Sequence, residues 1–413
     1  VCSALSVNWE YKKLNPENTN PIRIVVIEPS GRLYGSEYCL LDILDGLNSE
    51  PFQWSVILPK GQGFDQLLLD RRIECHFLMP SNAAAKSRVC RTGHYLRILW
   101  HLRQLKPDLL YVNQTGSLRA AAMYSRWLKL PMVCQVQTLE DARWVSGRKE
   151  LHKDVYAFIC NSQFIANQTL VDKDKKCILY QGIGSERVER TQRFAMERLQ
   201  RPISDATKFG ILGRIAVSKG HYLLLDAMQR LGDRLAGSRV VVIGEGLTPS
   251  DTKAFQDAVA RAGLTDRFIF RGYQTNIQEE LSAVDVLLIP SIAEPLGRVL
   301  FDAAEFGVPV IISDAGGLGE LGKRFSIGIP FKSQDPDALA SAMAGVVQNL
   351  SSNQTAFARA SLEMMQSLNM SSYLDSVKKI VFAGATRKQC AIAWLGDDSF
   401  HVSSTNSGVG TSS

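Results

Sequence analysis

Short apolar, β-branched runs alternate with longer helical patterns along most of this chain. That alternation does more than any other feature to limit the folds open to it. In the first half, strand-like runs fall at 22–28, 54–59, 74–79, 108–113, 132–137, 157–161 and 176–180. Helical patterns lie between them at 36–48, 64–72, 93–106, 117–129 and 162–173. Strand–helix alternation at this spacing predicts a parallel sheet with helices on both faces. Residues 186–206, "ERVERTQRFAMERLQRPISDA", carry no strand signal and are strongly charged, so they read as an interdomain connection. The alternation restarts at "KFGILGRI" and continues through "SRVVVIGEG", "RFIFRGY", "DVLLIPS", "PVIISD" and "GIPF". Helical patterns at 221–233, 250–262, 276–283, 297–306 and 336–350 fill the gaps. The expected fold is α/β: two tandem, doubly wound, Rossmann-like parallel-sheet domains. With 413 residues, 45% of them hydrophobic, there is material for two cores. The expected parts are an N-terminal extension (1–21), a first domain with its linker (22–206) and a second domain (207–370). A C-terminal helix at 371–384 returns to the first domain, and a Ser/Thr/Gly-rich tail at 385–413 is expected to be disordered.

Ligands of such sheets bind beyond the carboxyl ends of the strands, so two facing domains place a cleft between two sets of strand ends. The net charge of +6 suits an anionic small substrate, an anionic membrane or nucleic acid, and does not choose among them. The eight cysteines include no Cys-x-x-Cys pair, and several sit in apolar runs such as "MVCQVQ" and "AFICNS". They read as buried thiols in a reducing, cytoplasmic setting, where sequons at Asn113, Asn167, Asn353 and Asn369 have no meaning. With six histidines and no ligand spacing, no metal site is expected. The start, "VCSALSVNWEYKK", reads as neither a signal peptide nor a clear transit peptide; lacking an initial Met, it suggests a trimmed or partial chain. No stretch has the length of a membrane span.

Four strand-to-helix turns could carry chemistry. In "SIAEPLGRVLFDAAEFGVPVIISD", Glu294 precedes a Pro-Leu-Gly turn after an apolar strand, and a helix is expected from Leu296 or Gly297. The first amides of that helix lack intrahelical acceptors and suit a pyrophosphate, and Gly297 lets the anion approach the backbone. Asp302 lies roughly 8–9 Å further along the helix, so a carboxylate flanks the anion on either side, as the hydroxyls of a nucleotide sugar require. In "GRIAVSKGHYLLLDAM", Arg214 and Lys219 lie near the same strand ends and could neutralise a departing diphosphate. In "VVIGEGLTPS", Gly244 and Gly246 follow a strand, but Pro249 stands where a dinucleotide fingerprint needs its third glycine. In the first domain, "EPSGRLYGSEYCLLDIL" offers Gly31, Gly35 and Ser36 as a turn open to a phosphate or a sugar across the cleft. The basic stretch 91–106, with Tyr95 and Trp100, reads as a helix packed on the sheet with its cations reaching solvent; a peripheral contact with an anionic membrane is the other reading.

These motifs together resemble the retaining, GT-B-fold glycosyltransferases of family 4. "EPLGRVLFDAAEFGVPVI" is similar to that family's Glu-x7-Glu segment with its Ala-rich helix and Gly-x-Pro strand. Arg214 and Lys219 match its diphosphate-binding pair, "VVIGEG" its Gly-x-Gly strand end, and "DAGGLGELG" with Glu320 follows in family order. The resemblance covers roughly 22–383 and is thin in the first domain. It implies transfer of a hexose-type sugar from a nucleoside diphosphate sugar to a carbohydrate or lipid-linked acceptor, without metal or resident cofactor and without nucleic acid. Glu294, Arg214 and Lys219 would be catalytic. Gly213, Gly244, Gly246, Pro295, Leu296, Gly297, Arg298 and Asp302 would hold the donor, and Gly35, Ser36 and Gln137 would face the acceptor. The setting would be cytoplasmic or peripheral at the inner membrane face. Three positions depart from the pattern: Asp302 stands for a Glu, Gln137 for a His and Gln181 for an Asn. These departures keep alternatives open: a sugar-nucleotide-binding protein that has lost catalysis, or a non-transferring enzyme such as a nucleotide-sugar epimerase. The broken fingerprint at Pro249 opposes a dehydrogenase.

Overall fold

The computed structural model describes residues 21–33, 35–49, 51–61, 63–78, 88–201 and 206–387. The N-terminal extension and the Ser/Thr/Gly-rich tail beyond 387 lie outside them. Seven strands form the first sheet: β1 (Ile22–Ile27), β2 (Phe52–Ile57), β3 (Glu74–His76), β4 (Leu109–Val112), β5 (Met132–Val136), β6 (Ala157–Cys160) and β7 (Lys176–Ile178). Their order is β3-β2-β1-β4-β5-β6-β7, with every pairing parallel. Six strands form the second: β8 (Lys208–Leu212), β9 (Arg239–Ile243), β10 (Phe268–Gly272), β11 (Val286–Ile289), β12 (Val310–Ser313) and β13 (Ile329–Phe331). Their order is β10-β9-β8-β11-β12-β13, again all parallel. The central strands β4, β5, β6, β11 and β12 are buried at every residue, which explains why they read as unbroken apolar runs.

Helices of the first domain are α1 (Gly35–Leu47), α2 (Phe64–Asp70), α3 (Arg88–Leu105), α4 (Leu118–Leu128), α5 (Leu139–Ser146), α6 (Lys149–His152) and α7 (Gln163–Gln168). Next come α8 (Ser185–Leu199), α9 (His221–Leu231), α10 (Pro249–Arg261), α11 (Ile277–Ser282), α12 (Arg298–Glu305) and α13 (Gly316–Phe325). The chain closes with α14 (Pro336–Gln348), α15 (Leu350–Ser367) and α16 (Met370–Thr386). None of the described helices is long and apolar enough to cross a membrane.

Where the sequence suggested a charged connection at 186–206, the structure has α8, a helix docked on the second domain. Glu186, Glu189, Arg193 and Glu197 are exposed while Phe194 and Ala195 are buried, with the Phe194 ring edge-on to Phe306 at 5.1 Å. Arg198, also buried, donates to the carbonyls of Val284 and Leu281 at 2.7 and 2.9 Å, so its charge is solvated by backbone rather than water. Two crossings join the domains side by side: the Ile183 amide donates to Leu368 at 2.7 Å, and the Met370 amide to Ile183 at 2.8 Å. Beyond this hinge α16 returns to the first domain, where Tyr373, Val377, Ile380 and Val381 join the core around Trp54, Leu109 and Tyr111. It runs to Thr386, two residues into the segment read as tail.

In each sheet the strand order reverses once, between β1 and β4 and between β8 and β11. These switch points are where loops diverge to opposite faces and open a crevice. Register places Ile27 beside Val112, so the chain leaves at Glu28 and Asn113 side by side. Ile211 pairs Leu288, so the Arg214 and Glu294 loops rise from neighbouring strands.

Candidate active site between the two switch points

The second-domain half of the site is built on backbone. The Ile292 amide donates to the Ser218 carbonyl at 3.0 Å, tying the loop after β11 to the loop after β8. That tie brings Lys219 Nζ to 2.7 Å from Glu294 Oε2. The pair is partly shielded, with side chains 31% and 17% exposed, so its attraction is less screened than on an open surface. The start of α13 clamps the Glu294 loop from the other side: the Gly317 amide donates to the Glu294 carbonyl at 2.7 Å. A Cβ on Gly317 would lie 2.0 Å from the Pro295 carbonyl oxygen, which accounts for the glycines of "DAGGLGE". Helix α12 begins at Arg298 rather than Leu296, because Gly297 takes φ +87° as its cap. The first amides of α12 open beside Glu294, where the macrodipole favours an anion.

The other predicted second-domain residues spread around this centre. Gly213 and Gly244 bring the loops after β8 and β9 together, and a Cβ on Gly244 would sit 2.1 Å from the Gly213 carbonyl oxygen. The Gly246 amide donates to Thr252 Oγ1 at 2.8 Å. Pro249 opens α10, capped by Thr248, instead of continuing a glycine fingerprint. Arg214 is exposed. The Thr248 amide and hydroxyl hold Asp251 below the usual carboxylate range, and the Arg214 charge adds to that pull. Asp302 does not stand alone on α12. Arg187 of α8 donates to its Oδ1 at 2.9 Å and also bonds Glu305, which Arg190 holds as well.

The first domain supplies the facing wall. A cavity of about 400 Å³ opens between the domains, within the range of small-ligand sites. Gly35, Ser36 and Gln137 line it together with Glu294, Pro295, Leu296, Gly297 and Arg298. Arg214, Lys219, Gly213, Gly244, Gly246 and Asp302 lie outside its lining, on the second-domain side. Sequence reading passed over Asn113, Gln114, Gln135 and Asn161 in this wall. The signal was present: each follows or ends an apolar run, in "YVNQT", "VCQVQ" and "FICNS". Behind the wall, Glu28 is fully buried and burial pushes its carboxyl up to about 7, against the Asn113 and Ser30 hydrogen bonds. Burial likewise raises Asp42, which accepts from Gln181 at 3.2 Å.

Three contacts close the domains over the cavity. Ser162 Oγ donates to the Pro295 carbonyl at 2.6 Å, and Arg298 Nη1 to the Gly35 carbonyl at 2.9 Å. Glu320 accepts the first amides of α7, from Gln163 at 3.1 Å and Phe164 at 2.8 Å. Burial raises the Glu320 carboxyl despite these bonds.

Residues 206–349 match the family model for glycosyl transferases group 1. The second domain is thus similar to the glycosyl transferases group 1. The chain's 2-deoxystreptamine glucosyltransferase relative from Streptomyces kanamyceticus is 39% identical over 129 residues, covering 30% of this chain and 33% of that protein. The match thus spans about a third of that relative's length. The glycogen synthase of Mycobacterium tuberculosis is 25% identical over 281 residues, 66% of this chain and 68% of that protein. The GT-B fold is shared with Anabaena HepE, solved in complex with UDP and glucose: the TM-score is 0.72 at 20% identity, over 88% of this chain and 100% of that one. The group 1 match lies within the second domain, and the amide wall of the first domain lies outside it.

Proposed function

We propose that the protein is a retaining glycosyltransferase that moves a hexose-type sugar from a nucleoside diphosphate sugar to a glycan, lipid-linked or small-molecule acceptor. The carrying observation is the Lys219–Glu294 pair at the second-domain switch point, opening on a cavity walled by the first domain's strand ends. The diphosphate lies against the Gly297 and Arg298 amides, and Lys219 and Arg214 stabilise the charge that grows as the anomeric C–O bond breaks. Glu294 accepts hydrogen bonds from the sugar hydroxyls. The acceptor oxygen forms the new anomeric bond and its proton passes to the leaving diphosphate oxygen, so neither a metal nor a resident cofactor takes part. Closure over the cavity keeps out water that would otherwise hydrolyse the donor. The test is nucleoside diphosphate release from a panel of UDP-, GDP- and ADP-sugars. Turnover of one donor that is lost in Glu294→Ala supports the reading.

One observation favours a second reading, a sugar-nucleotide-binding protein without transfer. Arg187 already occupies Asp302, the carboxylate placed at the ribose. Tight nucleotide binding by calorimetry with no turnover on any donor would select it. We further place the protein in the cytoplasm, in keeping with five free thiols among the described residues. Exposed Tyr95, Leu96 and Trp100 on α3, beside Arg97 and Arg103, support peripheral contact with an anionic bilayer. Flotation with anionic liposomes that persists after Arg97 and Arg103 are changed to Gln and Trp100 to Ser would exclude that contact.

A further inference from the structure

Arg298 is the first residue of α12, the helix whose amides open beside Glu294, and its side chain crosses the cleft. Nη1 donates to the Gly35 carbonyl at 2.9 Å, and the guanidinium lies 5.7 Å from the centroid of the Tyr38 ring. Both partners belong to α1 of the first domain. Gly35 has to be small here: a Cβ on it would lie 3.3 Å from Arg298 Nη1 and 3.5 Å from Cδ. These contacts hold the guanidinium without neutralising it, since a carbonyl and an aromatic face carry no net charge. Arg187 and Arg190 on α8 each reach a carboxylate. Arg298 has no ion pair among the described residues. Burial raises the Asp42 and Asp302 carboxyls and the Arg298 charge works against it, but Asp42 accepts from Gln181 and Asp302 from Arg187.

A half-buried guanidinium at a helix start therefore lacks a counter-charge, and the helix end favours an anion at the same place. Five N–H groups point outward from a guanidinium, and Gly35 takes one of them. An arginine that swings freely loses rotamer freedom when it meets an anion, and one already held loses less. Tyr38 does the holding from outside. It is 46% exposed and lies outside the cavity lining, so its route to a ligand runs through Arg298.

Taking the nucleotide-sugar reading as given, we infer that Tyr38 is a positioning residue for the donor. It seats Arg298 across the cleft, so that contact with α1 and binding of the diphosphate strengthen each other. The test titrates the full chain by calorimetry with UDP, GDP, ADP and inorganic pyrophosphate. The proteins are the wild type, Tyr38→Ala, Tyr38→Phe, Arg298→Gln and the double variant of Tyr38→Ala with Arg298→Gln. For the nucleotide the wild type binds best, Arg298→Gln weakens binding about tenfold. Tyr38→Ala weakens it about three- to fivefold, and Tyr38→Phe, which keeps the ring, restores it. The double variant binds no worse than Arg298→Gln alone, because the two residues act as one unit. Three results overturn the inference and leave the transferase reading intact: full affinity in Tyr38→Ala, no rescue by Tyr38→Phe, or an undiminished Tyr38→Ala loss beside Arg298→Gln. If the wild type binds none of the three nucleotides, the donor reading has failed and pyrophosphate decides. The same ranking of variants then supports the seat, while equal binding by all of them, or by none, overturns it.

Discussion

The sequence singled out Glu294 and Lys219 because each sits in its own local motif, a strand, a turn and a helix start within a few residues, although the two lie 75 positions apart. Asp302 was legible as a residue but not in its setting, because its partner Arg187 lies 115 positions away on a helix the sequence showed only as charge. Two predictions belong at this scale. Asp302→Glu retains the Arg187 contact and the donor affinity, whereas Asp302→Ala raises the donor KM by about tenfold, the worth of one charge-assisted hydrogen bond; steady-state kinetics across donor concentrations checks both. Glu28 makes the fold pH-sensitive. Its carboxyl is raised from 4.5 to about 7, so the native state holds that proton to higher pH than the unfolded chain. The stability it contributes is therefore fully present below pH 4.5 and is lost as pH rises through 7. The loss is on the order of 3 kcal/mol. Glu28→Gln should flatten the pH dependence of the urea midpoint between pH 5 and 8; an unchanged slope would show that another group carries it.

At the scale of elements, strands and most helices followed from the alternation of apolar runs, since buried parallel strands leave no polar face to blur the pattern. Helices α5, α6, α8, α13 and α15 did not, and the last three have a plain physical reason. Helix α8 hides a narrow apolar stripe under many charges. The sequence of α13 opens with two glycines, chosen for close approach to the Glu294 loop rather than for helix propensity. Helix α15 begins at Leu350, directly after α14, so the two patterns merge. Helix α13 also carries Glu320, which caps α7 across the domain boundary. Glu320→Ala removes that cap, costs about 1 kcal/mol of closed-state stability and shifts the cleft toward open. Small-angle scattering should report a larger radius of gyration without loss of helical signal. An unchanged radius would mean that Ser162 and Arg298 suffice to hold the domains together.

At the scale of the molecule, two sheets whose orders each reverse once place two crevices opposite each other, and the site lies between them. The sequence foretold the two-domain plan and the returning helix, but not how the domains meet. Contacts such as Ser162 to Pro295 join residues 133 positions apart and leave no local pattern. The return of α16 makes the first domain's core depend on the end of the chain. Ile380→Ala, at a position 3% exposed, should cost about 2–5 kcal/mol. That loss should appear first in the first-domain unfolding transition, followed through buried Trp54. The central claim concerns the pair in the cleft, and nucleoside diphosphate release by the wild type and Glu294→Gln, across UDP-, GDP- and ADP-sugars, tests it most directly. The account predicts turnover of at least one donor by the wild type and a fall of roughly 10²–10³ in the variant, folded as before. Equal rates in the two proteins, or no release from any donor by the wild type, would contradict it.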